Sequence, residues 1–592
     1  MAALVALPST AAAEVPPYSL PVTLPAPKQS PAVDANAPYT SVVLDLIHQL
    51  EPSSPPTRDQ LANASKLLHD GANGACHNVG PVSAPTGTNP SIAPICWTDA
   101  QGVLNTSGPN ARGSTGPMTL MGLGSTFDRS LGNAWGQTEG TESRSFMVTG
   151  LFGPQTDLDR LPNWGRNLTT TGEDPYLSHE LVAAQINGIQ GAGTMSQMKH
   201  FAVYNGQNQN LNTDISDQPL HENYLLPYEG GFVDGKAAAT MCSYQVWRDT
   251  STHLPVSVSA LTQPSPFQSG LVPATWPLNE SHFSCEQPLI LNYVLRDLWG
   301  SKAFVGSDYP ATHSTSGILQ GEDQEMPTQT GFFSASNTLT ATQQTDATGS
   351  TCSDATGTTM LSCSTSGALH VGGYPGPGCP VGGCTLVDAV MNGSMPLAVF
   401  NQSLARILYQ EQRFGLLGCD QTPVSSLCTN PGGIGSDRTG TAPLPAGSSS
   451  GTPVLGTKNG DAAIVERYSE EGATLLKNDQ SALPLTGLND GDVLVTGANA
   501  NHLVADPTNE ASTGFIDRDA INPLQQLKEF SGKPGAFQFA PANDPTGYPV
   551  PSSALSRSNS AVTGNLARTG PGAGNDSSLD FTSVSSAGQL AP

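Results

Sequence analysis

From about residue 41 to residue 327, short apolar runs alternate with segments whose apolar residues recur at helical spacing. LSHELVAAQINGIQGAG (177–193) keeps that spacing and ends in Gly, a common helix stop. The apolar run MSQMKHF (195–201) follows, then LHENYLLPYEGGFVDG and AAATMCSY (237–244). PLILNYVLRDLWG (288–300) and KAFVGSDY (302–309) repeat the sequence of helix then strand. This alternation predicts an α/β fold with parallel strands, and at this length a (β/α)8 TIM-type barrel.

The rhythm changes in places that mark boundaries. Residues 1–40 are Pro/Ala-rich and read as a leader or linker. Residues 328–386 are Thr/Ser/Gly-rich with four cysteines, an insertion too long for an ordinary connection. The helical stretch LAVFNQSLARILYQEQRFGLLG (397–418) closes the barrel segment at 41–418, and 419–460 reads as a Pro/Gly/Ser/Thr linker. A second helix–strand pattern, DAAIVERYSEEGATLLKND (461–479) then DVLVTGANA (492–500), opens a second α/β unit over 461–540. Beyond 540 the chain is polar and weakly periodic.

Charge narrows the function classes. The chain has 592 residues, 24 Lys or Arg and 49 Asp or Glu, for a net charge of −25. Charged residues are only 12% of it, about half the usual fraction. With no basic run of five, the sequence excludes phosphate-backbone binding, so no nucleic-acid partner is expected. No apolar stretch approaches the roughly 18–20 residues of a membrane-spanning helix. The start, MAALVALPSTAAAEV, reads as the back half of a secretory signal without its positive region, so export is expected. Ten cysteines, none in a C-x-x-C pair, fit local disulfides: Cys76–Cys96, Cys242–Cys285, Cys352–Cys363, Cys379–Cys384 and Cys419–Cys428. Free thiols in a cytosolic protein are the alternative.

Three strand ends carry candidate chemistry. Asp308 follows the apolar run Ala303–Val305, Lys199 and His200 end another, and Tyr244 a third. In a barrel, such positions converge on one rim. Taken singly, an Asp after a strand is as readily a helix cap. No metal or cofactor is implied: His179-Glu180 lacks the second His of a zinc helix, and Gly433 and Gly435 lack a strand–helix setting.

Ten stretches in order resemble glycoside hydrolase family 3, of the two-domain β-glucosidase type. They are LGSTFDRSLGNAWGQTEGTES (123–143), NWGRN (163–167), GEDPYLSHEL (172–181), QMKHFAVYN (197–205), MCSY (241–244), SCEQPLILNYVLRDLWG (284–300), GSDYPATHST (306–315), GEDQEMP (321–327), LARILYQEQRFGLLG (404–418) and EGATLLKNDQSALPL (471–485). The resemblance implies hydrolysis of terminal β-D-glucosyl residues by a retaining mechanism with Asp308 as nucleophile. It implies that Arg166, Lys199 and His200 bind sugar hydroxyls, that Asp99 accepts from the outer hydroxyls, and that Tyr244 touches the nucleophile. Tyr309 stands where many relatives have Trp. Asp99-Ala100-Gln101 replaces the usual Asp-Gly-Pro, and no acidic residue follows within three positions of Arg166. The stretch after KHF lacks the Pro-Gly-His-Gly of the single-domain branch, so a histidine acid on this loop is not expected.

Retaining hydrolysis needs a second carboxyl as general acid/base. In two-domain relatives it is a glutamate deep in the second domain, so the resemblance implies that it lies past Pro592 and that the chain is truncated. Residues 541–592 resemble the start of a protective-antigen-type β-sandwich insert. Glu510 matches a loop near the aglycone side without an acid role, and Glu470 and Glu471 read as a solvated face on a helix through LLKND. A β-xylosidase of the same family, and a non-catalytic carbohydrate-binding barrel, are the alternatives.

Overall fold

A computed structural model describes residues 39–69, 77–79, 90–92, 94–99, 119–145, 148–162, 164–204, 212–250, 282–326, 331–335, 384–419, 423–430, 461–479, 481–501, 522–540, 565–568 and 579–584. The chain divides into a larger compact unit whose main segment ends at Gly472 and a smaller one that resumes at Ala473.

The larger unit is α/β. Its strands are β1 (His77–Val79), β2 (Ile95–Asp99), β3 (Gly150–Phe152), β4 (Met195–Phe201), β5 (Asn212–Ile215), β6 (Ala239–Cys242), β7 (Val246–Asp249), β8 (His282–Phe283) and β9 (Phe304–Ser307). The main sheet has the order β1-β2-β3-β4-β6-β9. All its pairings are parallel except β1–β2. Registers such as Thr98↔Leu151, Leu151↔Ser196 and Thr240↔Val305 align the strands so that their C-terminal ends share one rim. Parallel bridges Gly306↔Gln324 and His69↔Glu325 carry the pairing past β9. Every residue of β4, β6 and β9 is buried, as parallel strands covered on both faces must be. A small sheet of β5, β7 and β8 stands on the loops beyond β4 and β6.

Local chemistry sets the helices. Asp174 caps the helix Pro175–Gly191 by accepting from the Tyr176 and Leu177 N–H groups, and Pro175 fits the first turn because it needs no donor there. That helix lies against Arg129–Ser145 closely enough that a Cβ at Gly136 would stand 2.1 Å from the Gln185 carbonyl oxygen. Only glycine permits this approach. Two buried clusters flank the sheet. Leu46, Leu50, Leu404, Leu408, Trp97 and Phe304 belong to one, and Ile186, Met198, Phe201, Phe232 and Val305 to the other.

Three boundaries differ from the sequence reading. Residues 423–430 are not linker: Cys428 is disulfide-bonded to Cys419, and the Thr429 and Asn430 N–H groups donate to the Gly415 carbonyl. The helix Asp461–Gly472 belongs with the larger unit, where Tyr468 packs edge-on against Trp135 and donates to the Thr119 carbonyl at 2.9 Å. It stops at Gly472, so LLKND is not helical, and Leu475 and Leu476 are exposed. Glu471 does face solvent, paired with Arg467 at 2.6 Å.

In the smaller unit, β10 (Val493–Thr496) and β11 (Phe537–Ala540) pair in parallel, with the helix Pro523–Ser531 between them in sequence. Leu524, Ala536 and Phe537 form its buried cluster. β12 (Asn565–Arg568) and β13 (Leu579–Val584) form an antiparallel pair. Among the described residues no helix is long and apolar enough to cross a membrane. The Cys242–Cys285 pairing is present as expected. Cys96 and Cys384 are also disulfide-bonded, while Cys76, Cys352, Cys363 and Cys379 lie outside the described residues.

Candidate active site

All seven expected residues are described, and the hydrogen bonds and electrostatic influences among them tie all seven to one rim of the sheet. Asp308 follows β9, where its N–H donates to the Cys242 carbonyl at 3.1 Å and so continues the strand ladder. Its side chain then leaves the sheet with little exposure. Oδ1 accepts from the Tyr244 hydroxyl at 2.8 Å and from the Tyr309 N–H at 2.7 Å. Oδ2 accepts no hydrogen bond among the described residues, and His200 Nε2 stands 3.5 Å from it.

Burial pushes the Asp308 carboxyl up to about 6, and Lys199, Arg166, the Tyr309 N–H and the Tyr244 hydroxyl pull the other way. The order matters chemically. Desolvation alone would leave a neutral acid, and the cations and donors restore much of the ionised form. The carboxylate is thus available near neutral pH with one oxygen unengaged.

Lys199 and His200 end β4 together. Lys199 Nζ donates to Asp99 Oδ1 at 2.9 Å, which joins the ends of β4 and β2 across β3. Asp99, the outermost residue of β2, is half-buried. His200 is buried, and burial followed by Arg166 and Lys199 holds its imidazole well below the ordinary range. Arg166 is buried, with its guanidinium 5.7 Å from the Tyr204 ring centroid. Tyr309 offers the site its backbone N–H, while its ring packs edge-on against Phe152, itself stacked on Trp97.

Two residues belong here that the sequence reading did not select. Asp157 Oδ2 lies 2.8 Å from His200 Nδ1, and its Oδ1 accepts the His200 N–H at 3.2 Å. Burial pushes Asp157 up to about 7 against Arg166, the His200 N–H, Tyr228 and Lys199. Tyr204 sits among His200, Trp164 and Tyr244, with centroid separations of 4.7, 5.4 and 6.2 Å. Both stand in stretches just beyond strand ends, GPQTDLDR and KHFAVYN, so the rule that finds Asp308 would have reached them. Glu510 lies outside the described residues.

The C-terminal rim of the parallel sheet thus gathers a buried carboxylate, two cations, a histidine and a tyrosine, where a barrel-type sheet places its chemistry. Residues 107–324 match the model of the glycosyl hydrolase family 3 N terminal domain. The thermostable beta-glucosidase B of Acetivibrio thermocellus is 30% identical over 214 residues, covering 36% of this chain and 24% of that protein. A beta-glucosidase of Rhizobium radiobacter is 28% identical over 237 residues, covering 38% and 25%. Among solved structures, DesR, a beta-glucosidase from Streptomyces venezuelae in complex with D-glucose, matches with a TM-score of 0.56 and 25% identity over 87% of this chain and 52% of its own. Beta-glucosidase 3B from Thermotoga neapolitana has a TM-score of 0.55 at 19% identity, covering 84% and 55%, and speaks to the fold alone. The chain is similar to family 3 glycosyl hydrolases of the β-glucosidase type, and the match to that family's N-terminal domain covers residues 107–324. It spans about a quarter of the length of these curated relatives and about half that of the solved structures.

Proposed function

We propose that this chain hydrolyses terminal non-reducing β-D-glucosyl residues by double displacement, with Asp308 as the nucleophile. The supporting observation is the asymmetric carboxyl of Asp308, with Oδ1 held by Tyr244 and Tyr309 and Oδ2 unengaged. Oδ2 attacks the anomeric carbon, the bond to the leaving oxygen breaks, and a glycosyl ester forms; water then cleaves the ester. Lys199, His200 and Arg166 hold the sugar hydroxyls, and their donors strengthen as charge shifts in the transition state. Asp99, fixed by Lys199, accepts from outer hydroxyls of the ring.

The acid that protonates the leaving oxygen is not assigned among the described residues. General acid help is worth about 10²–10⁴-fold. Aryl glucosides with good leaving groups need none of it and are the substrates on which this site is judged. The sheet reads as part of a closed (β/α)8 barrel, 461–540 mainly as the start of an α/β sandwich domain, and 541–592 as the start of a β-sandwich insert. Disulfides and the acidic composition support export.

Chemical rescue tests the reading. Asp308→Ala is expected to stop turnover of dinitrophenyl β-glucoside, and added azide to restore it with the inverted α-glucosyl azide as product. Unimpaired turnover in this variant would overturn the assignment of Asp308.

A further inference from the structure

We infer that Asp157, His200 and Asp308 form one proton-sharing line in which Asp157 carries the proton, so that His200 presents Nε2–H to an ionised Asp308. The inference rests on Asp308 being the nucleophile and names the residue that keeps it ionised.

The geometry supplies the line. His200 Nδ1 lies 2.8 Å from Asp157 Oδ2 and His200 Nε2 lies 3.5 Å from Asp308 Oδ2. All three side chains are at least nine-tenths buried. A neutral imidazole has one N–H and one lone pair. Placing the proton on Nδ1 would aim the Nε2 lone pair at Asp308 Oδ2, which accepts no hydrogen bond among the described residues. Two acceptors would then face each other unless Asp308 itself took up a proton, and a protonated Asp308 is no nucleophile.

The same number of protons can be placed the other way. Moving the Asp308 proton to Nε2 and the Nδ1 proton to Asp157 Oδ2 leaves Asp308 ionised, His200 neutral and Asp157 neutral. No bond other than O–H and N–H is made or broken. The upward shift of Asp157, larger than that of Asp308, favours this end of the line. The groups facing it are Arg166 and Lys199, which favour ionised carboxyls, and Tyr228. The Tyr228 hydroxyl donates to the His200 carbonyl at 2.6 Å and lies 3.2 Å from Asp157 Oδ1.

The backbone offers a decisive substitution. Because the His200 N–H donates to Asp157 Oδ1, an asparagine at 157 must put its carbonyl there and its amide NH₂ where Oδ2 stands. That NH₂ donates to Nδ1 and locks the proton of the imidazole on Nε2. Asp157→Asn therefore imitates the protonated acid, whereas in a dyad with an ionised aspartate the same change imposes the wrong tautomer and costs about 10⁴-fold.

The test uses the full chain with ¹⁵N-labelled histidine, the His200 signals being identified by their loss in His200→Gln. At pH 7 the wild-type protein and Asp157→Asn are both expected to show protonated Nε2 and bare Nδ1. Azide-free labelling by a 2-deoxy-2-fluoro aryl glucoside is expected to stay within about tenfold of wild type in Asp157→Asn, since the variant keeps the tautomer. In Asp157→Leu it is expected to fall at least 100-fold when normalised to the folded fraction, since the buried His200 N–H loses its acceptor. Protonated Nδ1 with bare Nε2 in the wild type would overturn the inference while leaving Asp308 as nucleophile intact. Normal tautomers with no labelling in any form would instead count against Asp308 itself.

Discussion

Two aspartates beside the strand β9 live in opposite surroundings. Asp323 is fully buried, and both its oxygens are spoken for. Oδ1 accepts from Arg406 at 2.6 Å, and Oδ2 from Arg296 at 3.1 Å and from the Val305 N–H at 2.9 Å. Asp308 has one oxygen held and one unengaged. A carboxylate with both oxygens engaged by buried cations holds the fold. One with a spare oxygen can make a new bond. The segment of Asp323 is tied to the strand that leads into Asp308: Asp323 and Gln324 N–H groups donate to the Val305 carbonyl, and Ser307 N–H donates to the Gln324 carbonyl.

That contrast can be broken at either end. Asp308→Asn should abolish labelling by a 2-deoxy-2-fluoro glucoside, a loss of about 10⁴-fold or more, typical of a member of a catalytic unit. Its denaturant midpoint should not fall, because a buried carboxyl is replaced by a neutral amide. Asp323→Asn should do the reverse. Two buried guanidinium groups lose their counter-charge, and urea unfolding should show about 3–5 kcal/mol of destabilisation. The fraction still folded should label at the wild-type rate. A loss under about 1 kcal/mol would show that Asp323 is not the pin it looks like.

Smaller effects sharpen the picture. Removing the Cys242–Cys285 disulfide as the double serine variant should cost about 2–4 kcal/mol. The Cys242 carbonyl that receives the Asp308 N–H is a backbone group, so labelling of the folded protein should survive. Tyr244→Phe should cost about 1.5–3 kcal/mol of transition-state stabilisation, the scale of a hydrogen bond to a charged group. It carries a pH signature as well. In the wild type the labelling rate should rise with pH around a midpoint near 6, as Asp308 ionises. The Tyr244 hydroxyl favours the ionised form, so its loss must raise the Asp308 pKa and move that midpoint upward. A midpoint that stays or moves down would separate Tyr244 from the nucleophile.

Much of the larger unit was legible in the sequence because its signals are local. A buried parallel strand is a short apolar run, and the helix 175–191 announces itself by Asp174, Pro175 and its apolar spacing. Asp308, Lys199 and Tyr244 were found by their place just at or after such runs. Asp157 lies just past a strand end, within reach of the same rule, but its role is set by a partner 43 residues away on the next strand, and no spacing encodes which strand lies next. Tyr204 was overlooked for a similar reason, being defined by three rings from three segments.

The boundaries failed for other physical reasons. Residues 423–430 have linker composition, yet the Cys419–Cys428 disulfide and bonds to Gly415 hold them against the larger unit. The helix expected to run through Lys477 stops at Gly472, where the packing of Tyr468 ends and glycine makes continuation costly. The apolar pair Leu475–Leu476 then continued the helical pattern on paper without a core to meet.

The most direct measurement on the central assignment is to inactivate the full chain with 2,4-dinitrophenyl 2-deoxy-2-fluoro-β-glucoside and map the adduct by peptide mass spectrometry. The fluorine slows both steps and the leaving group needs no acid, so the ester accumulates. The expected result is a single glycosylated peptide carrying Asp308. An adduct on Asp99, Asp157 or another carboxyl, or none while glucose still binds, would contradict the assignment of Asp308 as nucleophile.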